Sequence, residues 1–324
     1  MKIFKLAALI AGIATGSAAQ DRLSIQVGYS PGGGFDHANR FVAEFLPRYL
    51  PESTEIIVEN VPGAGSLKLA RLIAGDSSSS GEVIGSVSSS LALAPVFDPD
   101  EPRFDPTSVR FIASLTNAAS YCITPRSSGI NSMQEFLEND GAIVGATSPA
   151  STTYVFPAAI KNALNGRFQI VTGFQGSSEI DLALERGDIH VRCGVGRNSL
   201  MSGDMLDRFI IIGEMGIAPR NEFEDIPFVL DMVEDLDVRA ALGLVFASTA
   251  IHYPLIAPAN IDEERLAILR AAYMSVAGDP EFISENDSRN AGISMTSGEV
   301  VEGMIQEFLS APAEVQELAR ELVQ

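Results

Sequence analysis

A chain of 324 residues, 46% of them hydrophobic, can bury a large core, and two domains are the natural expectation. Its 42 acidic and 22 basic residues give a formal net charge of −20, which argues against a nucleic-acid partner, because neutralising phosphates needs clustered Lys and Arg. The acidity fits solubility and does not bar a small anion, since a few donors at a site outweigh distant, screened charge.

Residues 1–19 read as a signal peptide for export. Lys2 and Lys5 form the charged start, residues 6–13 an apolar run too short to span a membrane, and Ser17-Ala18-Ala19 a small-residue cleavage site. With no Cys at that site for a lipid anchor, the expected location is the periplasm. The chain is then organised around residues 23–46. A β-prone run at 23–27 stops at Ser30-Pro31-Gly32-Gly33-Gly34, and Phe35, Ala38, Phe41, Val42, Phe45 and Leu46 follow on one helical face. Strand, glycine loop and helix start together aim free backbone N–H groups and the positive end of the helix dipole at one spot, an anion cradle suited to a carboxylate. The competing readings are a plain tight turn and a phosphate loop. No Lys-Ser/Thr follows the glycines and the spacing is not G-x-G-x-x-G, so the known nucleotide loops do not fit.

Two further strand–loop–helix units follow. The run 54–59 ends in Asn60-Val61-Pro62-Gly63-Ala64-Gly65 before a helix at 67–73, and 83–87 ends in Ser88-Ser89-Ser90. Three strand ends rich in glycine and hydroxyls make one rim, where ligands of open α/β sheets bind. After a Pro/Asp loop at 97–106, residues 109–115 and 119–124 read as strands and 133–137 as a helix. The strand 142–146 ends in Thr147-Ser148-Pro149-Ala150-Ser151-Thr152-Thr153 before a helix at 154–164. The strand 168–172 runs into Gly173-Phe174-Gln175-Gly176-Ser177-Ser178 and a helix at 179–185. Strands at 189–193 and 209–213, an acidic loop with a short helix at 214–237, and a long strand or crossover at 242–253 come next. An amphipathic helix beginning at 258–262 and two more, at 298–309 and 313–323, end the chain.

Cys122 and Cys193 both lie in apolar runs and read either as a disulfide or as two buried thiols. The histidines His37, His190 and His252 are scattered, so neither a metal site nor another cofactor is expected. No G-x-S-x-G elbow is present and no histidine is placed as a base, so no catalytic residue is assigned and the chain is expected not to be an enzyme.

Several motifs together resemble one family, the substrate-binding proteins of tripartite tricarboxylate transporters, also called Bug or TctC-like proteins. Pro31-Gly32-Gly33-Gly34-Phe35-Asp36 with Arg40 looks like the family opening P-G-G-x-x-D-x-x-A-R, with Asn39 in place of Ala. Val58-Glu59-Asn60-Val61-Pro62-Gly63-Ala64-Gly65 is similar to V-E-N-R-P-G-A-G, with Val61 in place of Arg. Phe174-Gln175-Gly176-Ser177, Leu182 and Gly187-Asp188 resemble Y-K-G-S…L…G-Q-V-D, and Pro258-Ala259-Asn260-Ile261 matches P-A-x-I. The likeness runs in order from about residue 23 to the end. Departures fall in loops expected to touch ligand. Gly194 stands where the family often has Asp, Arg192 and Arg197 lie nearby, Gln175 replaces a common Lys, and 147–151 is not a Gly-Ser run.

The resemblance implies an α/β, two-lobe periplasmic-binding-protein (Venus flytrap) fold, each lobe a mostly parallel sheet flanked by helices. Residues 20–118 and 250–324 would form lobe 1 and 119–249 lobe 2, with crossovers near 117–121 and 246–253. It also implies a monomer that closes around a small carboxylate solute and hands it to integral membrane transporter subunits. A sensing partner of a membrane receptor and, behind it, a periplasmic hydrolase are the alternatives. The expected carboxylate donors are the backbone of Gly32, Gly33, Gly34 and Phe35 with Ser88, Ser89 or Ser90, faced by Thr147, Ser148, Ser151, Gly176 and Ser177. Ser30, Gly65 and Thr152 complete the expected rim, and each serine has helix capping as its other reading. Asp36 either caps its helix or accepts from a ligand amine or hydroxyl. Arg192 and Arg197 either grip a second carboxylate or pair with nearby acids. Tyr29 and Phe174 pack against an apolar part of the ligand or against the core.

Overall fold

The computed structural model describes residues 22–324 except 53, 77–79, 101 and 221. The expected signal peptide lies outside the described residues. Eleven strands are present among the described residues: β1 (Arg22–Val27), β2 (Glu55–Asn60), β3 (Val83–Ser86), β4 (Val109–Thr116), β5 (Ser120–Pro125), β6 (Ile143–Ala146), β7 (Gln169–Thr172), β8 (Arg192–Gly196), β9 (Phe209–Met215), β10 (His252–Pro258) and β11 (Thr296–Ser297).

The first lobe is built on a six-stranded sheet in the order β11-β4-β10-β3-β1-β2. Leu23, Ile25 and Val27 of β1 are fully buried between β2 and β3, both parallel to it, as a central strand covered on two faces requires. The last long strand, β10, inserts antiparallel between β3 and β4. Arg270, on the helix Glu263–Ala277, is a buried tie on this sheet. Its Nε and Nη2 donate to the Phe111 carbonyl at 2.9 and 2.7 Å, and its other contacts are Glu299 at 3.0 Å and Glu302 at 2.8 Å.

The second lobe has β5 between β8 and β9, antiparallel to both, and β6 parallel to β7; a bridge from Val144 to Val191 joins the two pieces. Cys122 and Cys193 form a disulfide across β5 and β8. Of the two open readings of these cysteines, the bonded one is realised. The chain leaves the first sheet after Thr116, enters the second at Ser120, and returns between Phe246 and His252.

Three elements differ from the sequence-based expectations. Residues 242–253 form no long strand: the helix Leu236–Phe246, capped by Asp235, continues as a 3-10 turn at Ala247–Ile251 before β10 begins. That apolar run is buried on nearly every side, so no periodicity separates helix from strand. A helix at Pro280–Ser288 was not anticipated, although Asp279 caps it and Pro280 sits at its first position. The strand expected at 189–193 lies later, at β8. The last helix, Ala313–Val323, packs against the helices Leu236–Phe246 and Thr152–Ala163, with Ala319 and Leu322 in the same core as Val155 and Val245. The end of the segment 250–324 therefore rests on the second lobe rather than on the six-stranded sheet.

Candidate ligand-binding site

The strand ends of the two sheets face each other and the lobes touch. Ser30 N donates to Gln175 O at 3.2 Å, Ser178 Oγ to Pro31 O at 3.2 Å, Ser90 Oγ to Ala150 O at 2.8 Å, and Tyr253 OH to Asn198 Oδ1 at 2.9 Å. Glycines permit this closeness. A Cβ on Gly33 would lie 2.3 Å from Ser177 Oγ, one on Gly65 2.4 Å from Ser148 Oγ, and one on Gly176 2.2 Å from Ser30 Oγ.

Between these contacts is a cavity of about 30 Å³. From the first lobe it is lined by Tyr29, by Gly33, Gly34 and Phe35 at the start of the helix Gly34–Ala43, and by Tyr253. From the second lobe it is lined by Thr147, by Thr152 and Thr153 at the start of the helix Thr152–Ala163, by Ser177 opening the helix Ser177–Arg186, and by Arg192, Gly194 and Ser199. All three helices lack a side-chain cap on their first turn. Free N–H groups and three positive dipole ends therefore converge on one small space. Gly194 holds φ +79°, and a Cβ there would press at 3.3 Å on the backbone of Thr152 and Thr153. Only glycine lets the helix start approach β8 so closely.

Arg192 is the one charged side chain among the described residues that line the cavity. It is buried, with 3% of its surface exposed. Its Nη1 meets Asp181 Oδ1 at 2.5 Å, and its Nε is buried with no hydrogen-bond partner. An unpaired buried guanidinium N–H is costly. Burial pushes the Tyr29 hydroxyl up to about 12, against a lowering by hydrogen bonds to Ser88 and Ser66. Burial likewise raises Tyr253, whose hydroxyl bonds to Asn198 and Ser199 and lies within reach of the Arg192 charge. Both phenols stay protonated, and their O–H groups donate within the protein, Tyr29 to Gly65 O at 3.3 Å and Tyr253 to Asn198 Oδ1. Tyr253 also carries a φ of +55°, rare for a bulky residue, and meets Phe35 edge to face with ring centres 4.4 Å apart.

The expected site residues divide into three groups. Tyr29, Gly33, Gly34, Phe35, Thr147, Thr152, Ser177 and Arg192 line the cavity. Ser30, Gly65, Ser90, Ser148, Ser151 and Gly176 lie around it where the lobes meet. Gly32, Asp36, Ser88, Ser89, Phe174 and Arg197 do not line it. The Asp36 carboxylate is filled by Gly32 N at 3.0 Å, Arg40 Nε at 2.9 Å and Asn60 Nδ2 at 2.9 Å; it ties the glycine loop to its helix without capping an N–H of the first turn. Ser88 Oγ shares a hydrogen bond with Ser90 Oγ, Ser89 Oγ is buried without a partner, and Phe174 packs in the core with Ile180 and Leu184. Arg197 pairs with Glu222 at 2.9 Å, half-exposed, which is the acid-pair alternative. Thr147, Ser151 and Thr153 hydrogen-bond one another, so their hydroxyls are largely engaged. Thr153, Gly194, Ser199 and Tyr253 line the cavity without having been singled out. Thr153 closes the hydroxyl-rich loop and Gly194 follows Cys193 directly, but no sequence pattern marks Ser199 or Tyr253.

A larger hollow of about 530 Å³ opens beyond the Ser90–Ala150 contact; Asp98 and Asp100 line it together with Arg103 and Arg320, so its acidic and basic side chains balance and it offers no excess positive charge to an anion. Among the described residues, no three or more His, Cys, Asp or Glu gather to hold a metal, and no helix is long and apolar enough to cross a membrane.

No protein-family model matches the chain, and no curated protein matches it in sequence. Solved structures do match over nearly its whole length. The periplasmic binding protein BugD superposes with a TM-score of 0.74 at 14% identity, covering 94% of this chain and 98% of that one. The fold is that of the two-lobe periplasmic binding proteins. MatC from Rhodopseudomonas palustris, with bound malate, gives a TM-score of 0.72 at 15% identity and covers 94% and 99% of the two chains. Rpa4515 of R. palustris, with adipate, gives 0.71 at 12% identity and covers 93% and 98%. At such identities the likeness is one of architecture, and the chemistry of the cleft must be read from this chain's own residues.

Proposed function

We propose that this chain is an exported, non-enzymatic solute-binding protein. It captures a small carboxylate between its lobes and delivers it to membrane subunits of a tripartite tricarboxylate-type transporter. The observation that carries the reading is the convergence of three uncapped helix starts and the buried, half-paired Arg192 on one interlobe cavity. Such a place favours an anion with fixed acceptors, and a carboxylate supplies two oxygens to accept these donors. The similar folds solved with bound malate and with adipate are consistent with an organic acid here. Turnover has little support. Among the described residues lining the cavity there is no carboxylate, histidine or cysteine to serve as a base or thiol nucleophile.

A thermal-shift screen of the protein from Gln20 onward against carboxylic acids tests this reading. An acid at 100 times its Kd should stabilise the fold by about 2.7 kcal/mol. In Gly33→Val the shift should vanish while the ligand-free melting temperature holds. Gly33 sits at φ −91° and ψ 173°, which valine tolerates, but the side chain would strike Ser177 and hold the lobes apart. A folded, ligand-free protein that responds to no acid would overturn the proposal.

A further inference from the structure

From the size and charge of this cavity we infer that the preferred ligand is a compact monocarboxylate, held by Arg192, and not a di- or tricarboxylate. The inference rests on the carboxylate reading above and narrows it. Three observations carry it.

The first is space. A cavity of about 30 Å³ equals two or three single-water sites, each roughly 10–15 Å³ on the same measure. It has room for one carboxylate and a short stub. The walls are not soft. Gly33 against Ser177, Gly34 against Ser199 and Tyr253, and Gly65 against Ser148 are contacts of backbone with short side chains. A second carboxylate would have to part them and give up the bonds that hold the lobes together.

The second is charge. Arg192 contributes one positive charge, and Asp181, at 2.5 Å, offsets most of it from the rear. Three helix ends add about half a charge each. With what Asp181 leaves of Arg192, the sum is about one and a half positive charges, enough for one carboxylate and short of two. A dianion would bring a second negative charge into a closed space that holds no other cation among its described lining residues.

The third is the open valence. Arg192 Nε is buried and without a partner, while Nη1 is taken by Asp181. Asp181 thus occupies Nη1, and the buried Nε–H is left to donate to a carboxylate oxygen. Asp181 fixes the fork from the helix Ser177–Arg186, whose uncapped first turn lines the same cavity. In this arrangement Asp181 is a positioning residue that sets how much positive charge the ligand meets.

Calorimetric titration of the protein with acetate, propionate and lactate, and in parallel with malonate, succinate and malate, tests the inference. The best monocarboxylate should bind at least about tenfold tighter than any dicarboxylate. Arg192→Gln should weaken it by about tenfold or more, with Arg192→Lys in between, because a lysine keeps the charge and loses the fork. If Arg192→Gln fails to fold, the Lys variant and Asp181→Asn still decide. Asp181→Asn uncovers the full guanidinium charge, so it should narrow or reverse the gap in favour of dicarboxylates. A wild-type protein that prefers a dicarboxylate, or an Asp181→Asn variant with the gap unchanged, would overturn the inference while leaving the carboxylate reading standing. Binding of no acid at all would bring down both.

Discussion

Two buried arginines in this molecule do opposite things with the same side chain. Arg270, 8% exposed, spends its fork on the Phe111 carbonyl, Glu299 and Glu302, and so ties a helix and the C-terminal region to β4. Arg192, 3% exposed, has one carboxylate partner and a buried Nε with none. A guanidinium that serves the fold fills its donors from the fold. On the proposed reading, Arg192 keeps a donor in reserve for a ligand, and it is placed where neighbouring donors are also in reserve. The uncapped helix starts around Arg192 repeat the pattern, whereas Asp235, Asp262 and Asp279 cap helices elsewhere in the chain.

The contrast can be broken or sharpened by removing parts of each region. The largest effect should come from the disulfide that anchors Arg192's strand. With Cys122 and Cys193 separated by 71 positions in sequence, the Cys122→Ser/Cys193→Ser protein should lose about 4 kcal/mol in denaturant unfolding. Arg270→Met should cost about 3 kcal/mol, because the buried Phe111 carbonyl loses its charged donors, and acid binding should not change. Arg192→Gln should reverse that pattern, with acid binding impaired and stability altered by no more than about 1 kcal/mol. Asp181, a fifth exposed, regains water once released, and an unpaired N–H is removed. Equal stability losses in the two arginine variants would erase the distinction.

His252 extends the comparison to a group that gives up its charge. It is buried at the start of β10 with Nδ1 unpartnered, and burial lowers its pKa from 6.5 to about 4. As pH falls from about 6.5 to 4, the unfolded chain takes up a proton that the folded one refuses. Stability should therefore drop across that window by roughly 3 kcal/mol and stay lost below it. His252→Gln should flatten this part of the profile, measured as the difference between the two proteins in urea midpoint against pH. An unchanged profile would mean that His252 is solvated on folding.

How much of this could be read beforehand varied with the physics. The βα units were legible because strand and helix periods differ and because Gly32-Gly33-Gly34 and Ser88-Ser89-Ser90 punctuate them. The glycine loop, Thr147, Thr152 and Ser177 were legible as candidates because donor-rich strand ends are local features, and Arg192 because it lies beside Gly194, where the resembled family often has Asp. Tyr253 and Ser199 were not, since they reach the cavity only through the return crossover and the packing of the two lobes. The helix Leu236–Phe246 was hidden by its own burial. The separate fates of Arg192 and Arg197, five residues apart, were also illegible, because only the fold shows that Glu222 takes one and the cavity the other.

The central claim is that the closed cavity is an anion site completed by Arg192. The most direct test is a crystal structure of the complex with the acid that gives the largest thermal shift. The account predicts a carboxylate oxygen about 2.7–2.9 Å from Arg192 Nε, among the helix starts at Gly34, Thr152 and Ser177. An acid bound with Arg192 Nε still unpartnered, or seated in the hollow beside Asp98 and Asp100, would contradict it.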